Sequence, residues 1–234
     1  MRVAVIPARG GSKRIPRKNI NVFCGKPIIS WPIEIALASQ LFDQIVVSTD
    51  DAEIAAIAKN SGATVPYLRP KTLADDFTDT KSVIRHAISE LDLQSDLANF
   101  VCCIYPTSVF LTVGLLKEGF DLVSRMDSGF AFSIKRVDSS LLRSFTRDTG
   151  GRLKMILPDN QSIRTQDLPE VFCDAAQFYW GAVSTWQSNQ EIFGENSRGI
   201  LVANNSCQDI DTPEDWARAE LIFKDFLKID EKKH

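Results

Sequence analysis

Two short stretches, near opposite ends of the chain, carry side chains in patterns suited to chemistry. The first is RGGSKRIPRK, residues 9–18, where Arg9, Lys13, Arg14, Arg17 and Lys18 put five cations into ten residues around Gly10, Gly11 and Ser12. Cations at that density repel one another unless an anion sits among them. Adjacent glycines let a backbone turn inward and bring its N–H groups close to such an anion. A phosphate chain is the expected occupant, and a solvated basic loop is the plain alternative. The run is neither G-x-x-x-x-G-K-[ST] nor G-x-G-x-x-G, which argues against an ATPase or a dinucleotide-dependent dehydrogenase.

The second stretch is Asp209-Ile210-Asp211. Alternate side chains of an extended segment share a face, so both carboxylates point one way and Ile210 points to the core. Such a pair repels unless a cation lies between its members. Mg²⁺ is typically held by one or two carboxylates together with phosphate oxygens and water. Helix capping is the competing duty for Asp211, but Thr212 already fills that position. A second acidic pair, Asp50-Asp51, precedes AEIAAIAK and is expected to cap a helix rather than hold a metal.

The elements that must position these groups follow from periodicity. Arg2–Pro7 is β-branched and apolar, as a buried parallel strand should be. Pro27 opens a helix to about Ser39 with Ile28, Trp31, Ile35 and Ala38 inward, and Gln44–Ser48 is the next strand. A helix ending at Gly62 follows, then a short strand at Thr64–Tyr67. A helix over Lys81–Leu91, capped by Thr78 or Thr80, buries Val83, Ile84, Ala87, Ile88 and Leu91, and His86 on it packs. Phe100–Ile104 is a central strand, followed by a helix at about Val113–Met126 and a strand at Phe130–Ile134. Repeated βα units imply one Rossmann-like, mostly parallel sheet with helices on both faces, a single α/β domain over residues 1–234. Ligands of such sheets bind outside the carboxyl ends of the strands, where the basic loop lies.

The alternation loosens at 135–173, with a short strand possible at Leu153–Leu157, and reads as an insertion, either a lid or a surface for a second subunit. Phe178–Val183 and Ile200–Ala203 return to the sheet. A helix at Pro213–Lys228 starts with Thr212 as cap, and its Trp216, Leu221, Ile222, Phe223, Phe226 and Leu227 pack back on the body. The composition is ordinary for a globular chain of 234 residues, at 44% apolar and 24% charged, and a net charge of −3 argues against a nucleic-acid surface. No run of 18 apolar residues exists and the first residues lack the charged-then-apolar layout of a signal peptide, so neither a membrane span nor a leader is expected. Five cysteines without a CxxC pair and only two histidines argue against zinc and for a reducing cytoplasm.

The run IPARGGSKRIPRKN, followed by GKPII, STDD, RPKTLADD, YPTS, RTQDLPEVF and QDIDTPEDW, resembles the CMP-sugar synthetases that activate nine-carbon acidic sugars, in the same order over nearly the whole chain. The resemblance implies a cytidylyltransferase with CTP and an acidic nine-carbon sugar as partners, Mg²⁺ on Asp209 and Asp211, and a homodimer whose insertion reaches the partner's site. In the implied reaction the anomeric hydroxyl attacks the α-phosphate in line and pyrophosphate leaves, with Arg9, Lys13 and Asp211 as the catalytic groups. Nucleotide binding is implied for Ala8, Arg9, Gly10, Gly11, Ser12, Lys13, Lys18, Asn19, Arg69, Asp76 and Thr80. Sugar binding is implied for Tyr105, Thr107, Ser108, Arg164, Asp174, Gln177, Phe178 and Tyr179.

The blocks CCIYPTS and DAAQFYWG look most like the branch that acts on pseudaminic acid. Where the sialic-acid branch has Gln-Pro-Thr-Ser and Arg-x-Asn-Gly, this chain has Tyr105-Pro106-Thr107-Ser108 and Cys173-Asp174-Ala175-Ala176. Tyr105 and Phe178 suit a deoxy sugar with a terminal methyl, with Asp174 and Gln177 reading its acylamino groups. Legionaminic and N-acetylneuraminic acids are the alternative substrates. Kdo- or molybdopterin-type transferases and a non-catalytic nucleotide-binding protein are more distant ones.

Overall fold

Strand β1 (Arg2–Pro7) is fully buried from Val3 to Ile6, as a strand covered on both faces must be. The computed structural model describes residues 1–96, 98–203 and 207–230. After β1 come a small hairpin of β2 (Val22–Phe23) and β3 (Lys26–Pro27), then α1 (Ser30–Ser39), β4 (Gln44–Ser48), α2 (Ala52–Asn60), α3 (Thr80–Glu90) and β5 (Phe100–Ile104). The chain continues through α4 (Val113–Val123), β6 (Ala131–Val137), a second hairpin of β7 (Phe145–Arg147) and β8 (Leu153–Met155), β9 (Val171–Ala182), α5 (Val183–Gln187), β10 (Arg198–Val202) and α6 (Pro213–Asp230).

Six strands form one sheet in the order β10-β6-β9-β5-β1-β4. Neighbours are parallel at β4/β1, β1/β5 and β6/β10, so the sheet is mostly parallel as the alternation predicts. Only β9 runs antiparallel to both its neighbours. The chain leaves β6 at Val137 and re-enters opposite it at Val171, so no crossover helix intervenes and the strand must reverse. From β1 the chain goes first to β4 on one side and later to β5 on the other, so a crevice opens beyond the carboxyl ends of β1 and β5.

Helices cover both faces. Ile33 and Ala36 of α1, Ile54 and Ala58 of α2, and Leu116 and Val123 of α4 pack on one side with Ile6, Cys102 and Trp180. Ile84, Ala87 and Ile88 of α3 pack with Val183 and Trp186 of α5 on the other. A third cluster joins α6 to the β2–β3 hairpin through Phe23, Ile210, Ala219 and Phe223.

Several element boundaries differ from the periodicity. Lys26–Pro27 closes a hairpin over Cys24 and Gly25, whose φ values of 45° and 95° fit a primed turn, so α1 starts only at Ser30. Its buried stripe is Pro32, Ile33 and Ala36, and Ala38 is exposed. Thr64 makes a single bridge to Val46 instead of opening a strand. Asp79, not Thr78 or Thr80, caps α3 by accepting from Ser82 N at 2.7 Å, because Thr80 is already helical. On α6, Ala219 and Phe223 define the buried face, which leaves Leu221 67% exposed and Leu227 at the surface. Within 138–170 the apolar side chains Leu141, Phe145, Leu153, Ile156 and Leu157 are all exposed.

Candidate active site

The crevice at β1 and β5 is a cavity of about 660 Å³. Arg9, Ser12, Lys13, Arg14 and Lys18 enter it from the loop after β1, and Tyr105 and Thr107 from the turn after β5. Asp209 and Asp211 enter from the segment before α6, with Ile210 fully buried behind them, as alternation requires. Asn19, Arg69, Asp76 and Thr80 complete the expected nucleotide-binding set that reaches this space.

Ala8, Gly10 and Gly11 do not line it. Ala8 is fully buried, and the Gly10 amide donates to Asp50 Oδ1 at 2.9 Å. A Cβ on Gly10 would sit 2.8 Å from Asp51 Oδ2. The glycine is therefore needed for close approach to the Asp50–Asp51 corner, not to expose amides to a ligand.

The loop cations, expected to await a phosphate, are held by the chain's own acids. Arg9 donates to Asp76 Oδ1 and to the Asp75 carbonyl, both at 2.7 Å, and Lys13 also pairs with Asp76. Hydrogen bonds from Lys13 and then Arg9 hold the Asp76 carboxyl below its usual range. Arg14 pairs with Asp211 at 2.8 Å, while Lys18 donates to the Ile210 carbonyl at 2.8 Å and to Asp211 at 3.3 Å. Arg17 turns away in a left-handed conformation (φ 56°) and pairs with Asp51 and Glu53.

Asp209 differs from these acids. Its carboxyl is pushed up by burial and next by the charge of Asp211, and among the described residues no cation forms an ion pair with it. Two carboxylates facing one cavity, one of them destabilised as an anion, suit a hard divalent cation. Arg69 is the other strained charge. It is 5% exposed, and its Nε and Nη2 find no hydrogen-bond partner among the described residues. Burial lowers its pKa, against the pull of Asp50.

A second cavity of about 790 Å³ shares Thr80 and Tyr105 with the first and has Tyr179, Ile192 and Phe193 on its walls. The other sugar-site candidates lie elsewhere. Side chains of β9 alternate, so Tyr179 faces this cavity while Phe178 is buried with Trp180 on the opposite face. Ser108 Oγ donates to the Gln177 carbonyl at 2.8 Å, and both side chains are buried. The Asp174 carboxylate accepts from the Tyr179 hydroxyl and the Ala176 amide, which leaves less of it for an acylamino group. Arg164 is exposed beside Asp167 at 2.6 Å, outside both cavities. Cavity residues that the sequence did not assign to the nucleotide or sugar sites include Arg14, Thr78 and Ala176. Arg14 belonged to a visible cation run, whereas Ala176 enters through a left-handed backbone (φ 52°) that no residue type announced.

The fold is that of the Rossmann-like nucleotidyltransferases. A CMP:2-keto-3-deoxy-manno-octonic acid synthetase complexed with CTP superposes with a TM-score of 0.68 at 16% identity, covering 96% of this chain and 98% of that one. A cytidylyltransferase family model matches residues 3–140, and the chain belongs to that family. It is 37% identical to the pseudaminic acid cytidylyltransferase of Campylobacter jejuni over 95% of this chain and 96% of that protein. It is 31% identical to the CMP-N,N'-diacetyllegionaminic acid synthase of Legionella pneumophila, over 95% and 96%.

Proposed function

We propose that this cytidylyltransferase transfers CMP from CTP to the anomeric hydroxyl of a nonulosonic acid, with pseudaminic acid as the preferred acceptor, and releases pyrophosphate. The observation that carries this is the shared cavity of the loop cations and the Asp209–Asp211 pair. A triphosphate displaces Asp76 from Arg9 and Lys13, which then neutralise the departing pyrophosphate. Arg69 and Asn19 take the ribose and base, and the unpartnered guanidinium nitrogens of Arg69 gain acceptors there. Asp209 and Asp211 would hold Mg²⁺, which supplies charge neutralisation at the α-phosphate. The acceptor spans the junction at Thr80 and Tyr105 and rests on the aromatic wall of Tyr179 and Phe193.

The preference for pseudaminate rests on the 37% identity to the Campylobacter jejuni enzyme and on the aromatic Tyr105, Tyr179 and Phe193 in the wall of the second cavity. Pyrophosphate release from CTP and Mg²⁺ with a panel of nonulosonic acids tests both statements. The expected result is release with pseudaminate at a kcat/KM at least about tenfold above that with N-acetylneuraminate. Silence with every acid overturns the activity, and equal rates overturn the preference. The exposed apolar side chains of 138–170 support a homodimer through this excursion, and a monomeric mass in solution would refute it.

A further inference from the structure

Asp211, one half of the carboxylate pair that would hold Mg²⁺, is covered at both oxygens by cations of the basic loop. Arg14 Nη1 lies 2.8 Å from its Oδ2 and Lys18 Nζ 3.3 Å from its Oδ1, whereas Asp209 forms no ion pair among the described residues. A divalent cation held by the pair needs an oxygen from Asp211. On approach it meets two positive charges already seated there.

The two covering residues differ in how firmly they are held. The Lys18 side chain is 19% exposed and also donates to the Ile210 carbonyl at 2.8 Å, so it braces the segment that carries the pair. The Arg14 side chain is 66% exposed, and its guanidinium has no other ion pair or hydrogen bond among the described residues. An ion pair that open to water is weak, and the guanidinium can leave it at little cost. The backbone keeps it within reach. Ile15 and Ile210, the chain neighbours of Arg14 and Asp211, are buried in one cluster with Phe23 and Phe110, which pins the loop against the acidic segment. Arg14 lines the cavity together with Arg9, Ser12 and Lys13, where the phosphates of a nucleotide would lie. A planar guanidinium bonds phosphate as well as it bonds carboxylate, and a triphosphate offers it several negative charges against one.

Resting on the function proposed above, we infer that Arg14 is a latch on the metal-binding pair, holding Asp211 until a triphosphate takes its guanidinium. The same side chain then serves the phosphates, and the freed Asp211 joins Asp209 in facing the divalent cation. Nucleotide and cation therefore enter together, and the cation alone is bound weakly. By linkage each strengthens the binding of the other, and opening the latch is part of that coupling.

The test is Mn²⁺ binding to the full chain without nucleotide, read by loss of the free-ion electron paramagnetic resonance signal. Arg14→Gln should bind Mn²⁺ about fivefold more tightly than the wild type. Lys13→Gln removes an equal charge from the same loop but pairs with Asp76, so it should change that affinity less than about twofold. In calorimetric titration with CTP in EDTA, Arg14→Gln should bind at least about threefold more weakly, through the lost phosphate contact. Unchanged Mn²⁺ affinity in Arg14→Gln, or an equal gain in Lys13→Gln, overturns the latch. CTP binding that is unchanged or tighter in Arg14→Gln overturns the transfer to phosphate. A wild-type protein that binds no CTP, or is silent with every acid, overturns the function itself, a result seen before any variant is made.

Discussion

Asp50-Asp51 and Asp209-Ile210-Asp211 are both acidic pairs just before a helix, and their fates are opposite. Asp51 accepts from Glu53 N at 2.9 Å and Ile54 N at 3.0 Å, is paired with Arg17, and titrates down at about 2, chiefly through the Arg17 hydrogen bond. Asp50 holds the Gly10 amide. Both carboxylates of that corner bond the fold itself. In the other pair the capping duty is taken over by Thr212 and Asp215, which bond each other's amides at 3.2 and 3.0 Å. That exchange releases Asp209 and Asp211 to face the cavity, where burial works against Asp209 as an anion. An acid is available for chemistry where the local backbone has been satisfied by something else.

The comparison breaks most visibly at Asp211. Asp211→Asn should cut pyrophosphate release at least about 100-fold while the circular dichroism spectrum stays native; normal turnover would remove the carboxylate pair from the active site. Its neighbour sharpens the contrast, since Asp209→Asn should also lose activity yet raise the melting temperature, because the anion it removes is disfavoured in the fold. A lower melting temperature in that variant would mean that the buried charge is compensated.

Asp51→Ala should act on stability. The shift of Asp51 from 3.8 to about 2 corresponds to about 2 kcal/mol. This depressed carboxyl contributes in full above about pH 4, and its contribution is lost as the pH falls through about 2. The variant should melt about 4–8 °C lower at neutral pH, with the gap closing in acid. An unchanged melting temperature would show the cap to be dispensable.

The smallest effect is expected at Asp76, an exposed acid held by Arg9 and Lys13. Asp76→Asn should tighten CTP binding about threefold by freeing both cations for the triphosphate. Weaker binding would instead make Asp76 a direct nucleotide contact.

How much of this was legible varies by residue. The facing of Asp209 and Asp211 about Ile210 follows from strand alternation alone, and the parallel order around β1 follows from the βα pattern. The same alternation separates Phe178 from Tyr179, although adjacency in sequence suggested a common role. Cation density showed where the basic loop was but not that Asp76 and Asp211 would neutralise it, since those acids lie far along the chain. Asp174 was visible as a polar residue, but its partnership with Tyr179 depends on a bulge of β9 opposite β6 that has no local signature.

By itself the sequence determined what short-range forces control: which segments are strands and helices, which carboxylates share a face, and that five cations crowd one loop. Only the tertiary structure decided which acid meets which base, which glycine serves packing, and which aromatic side chain of β9 faces the second cavity. Periodicity and steric preference act over a few residues, whereas ion pairs and hydrogen-bond chains join groups that the sheet order alone brings within reach.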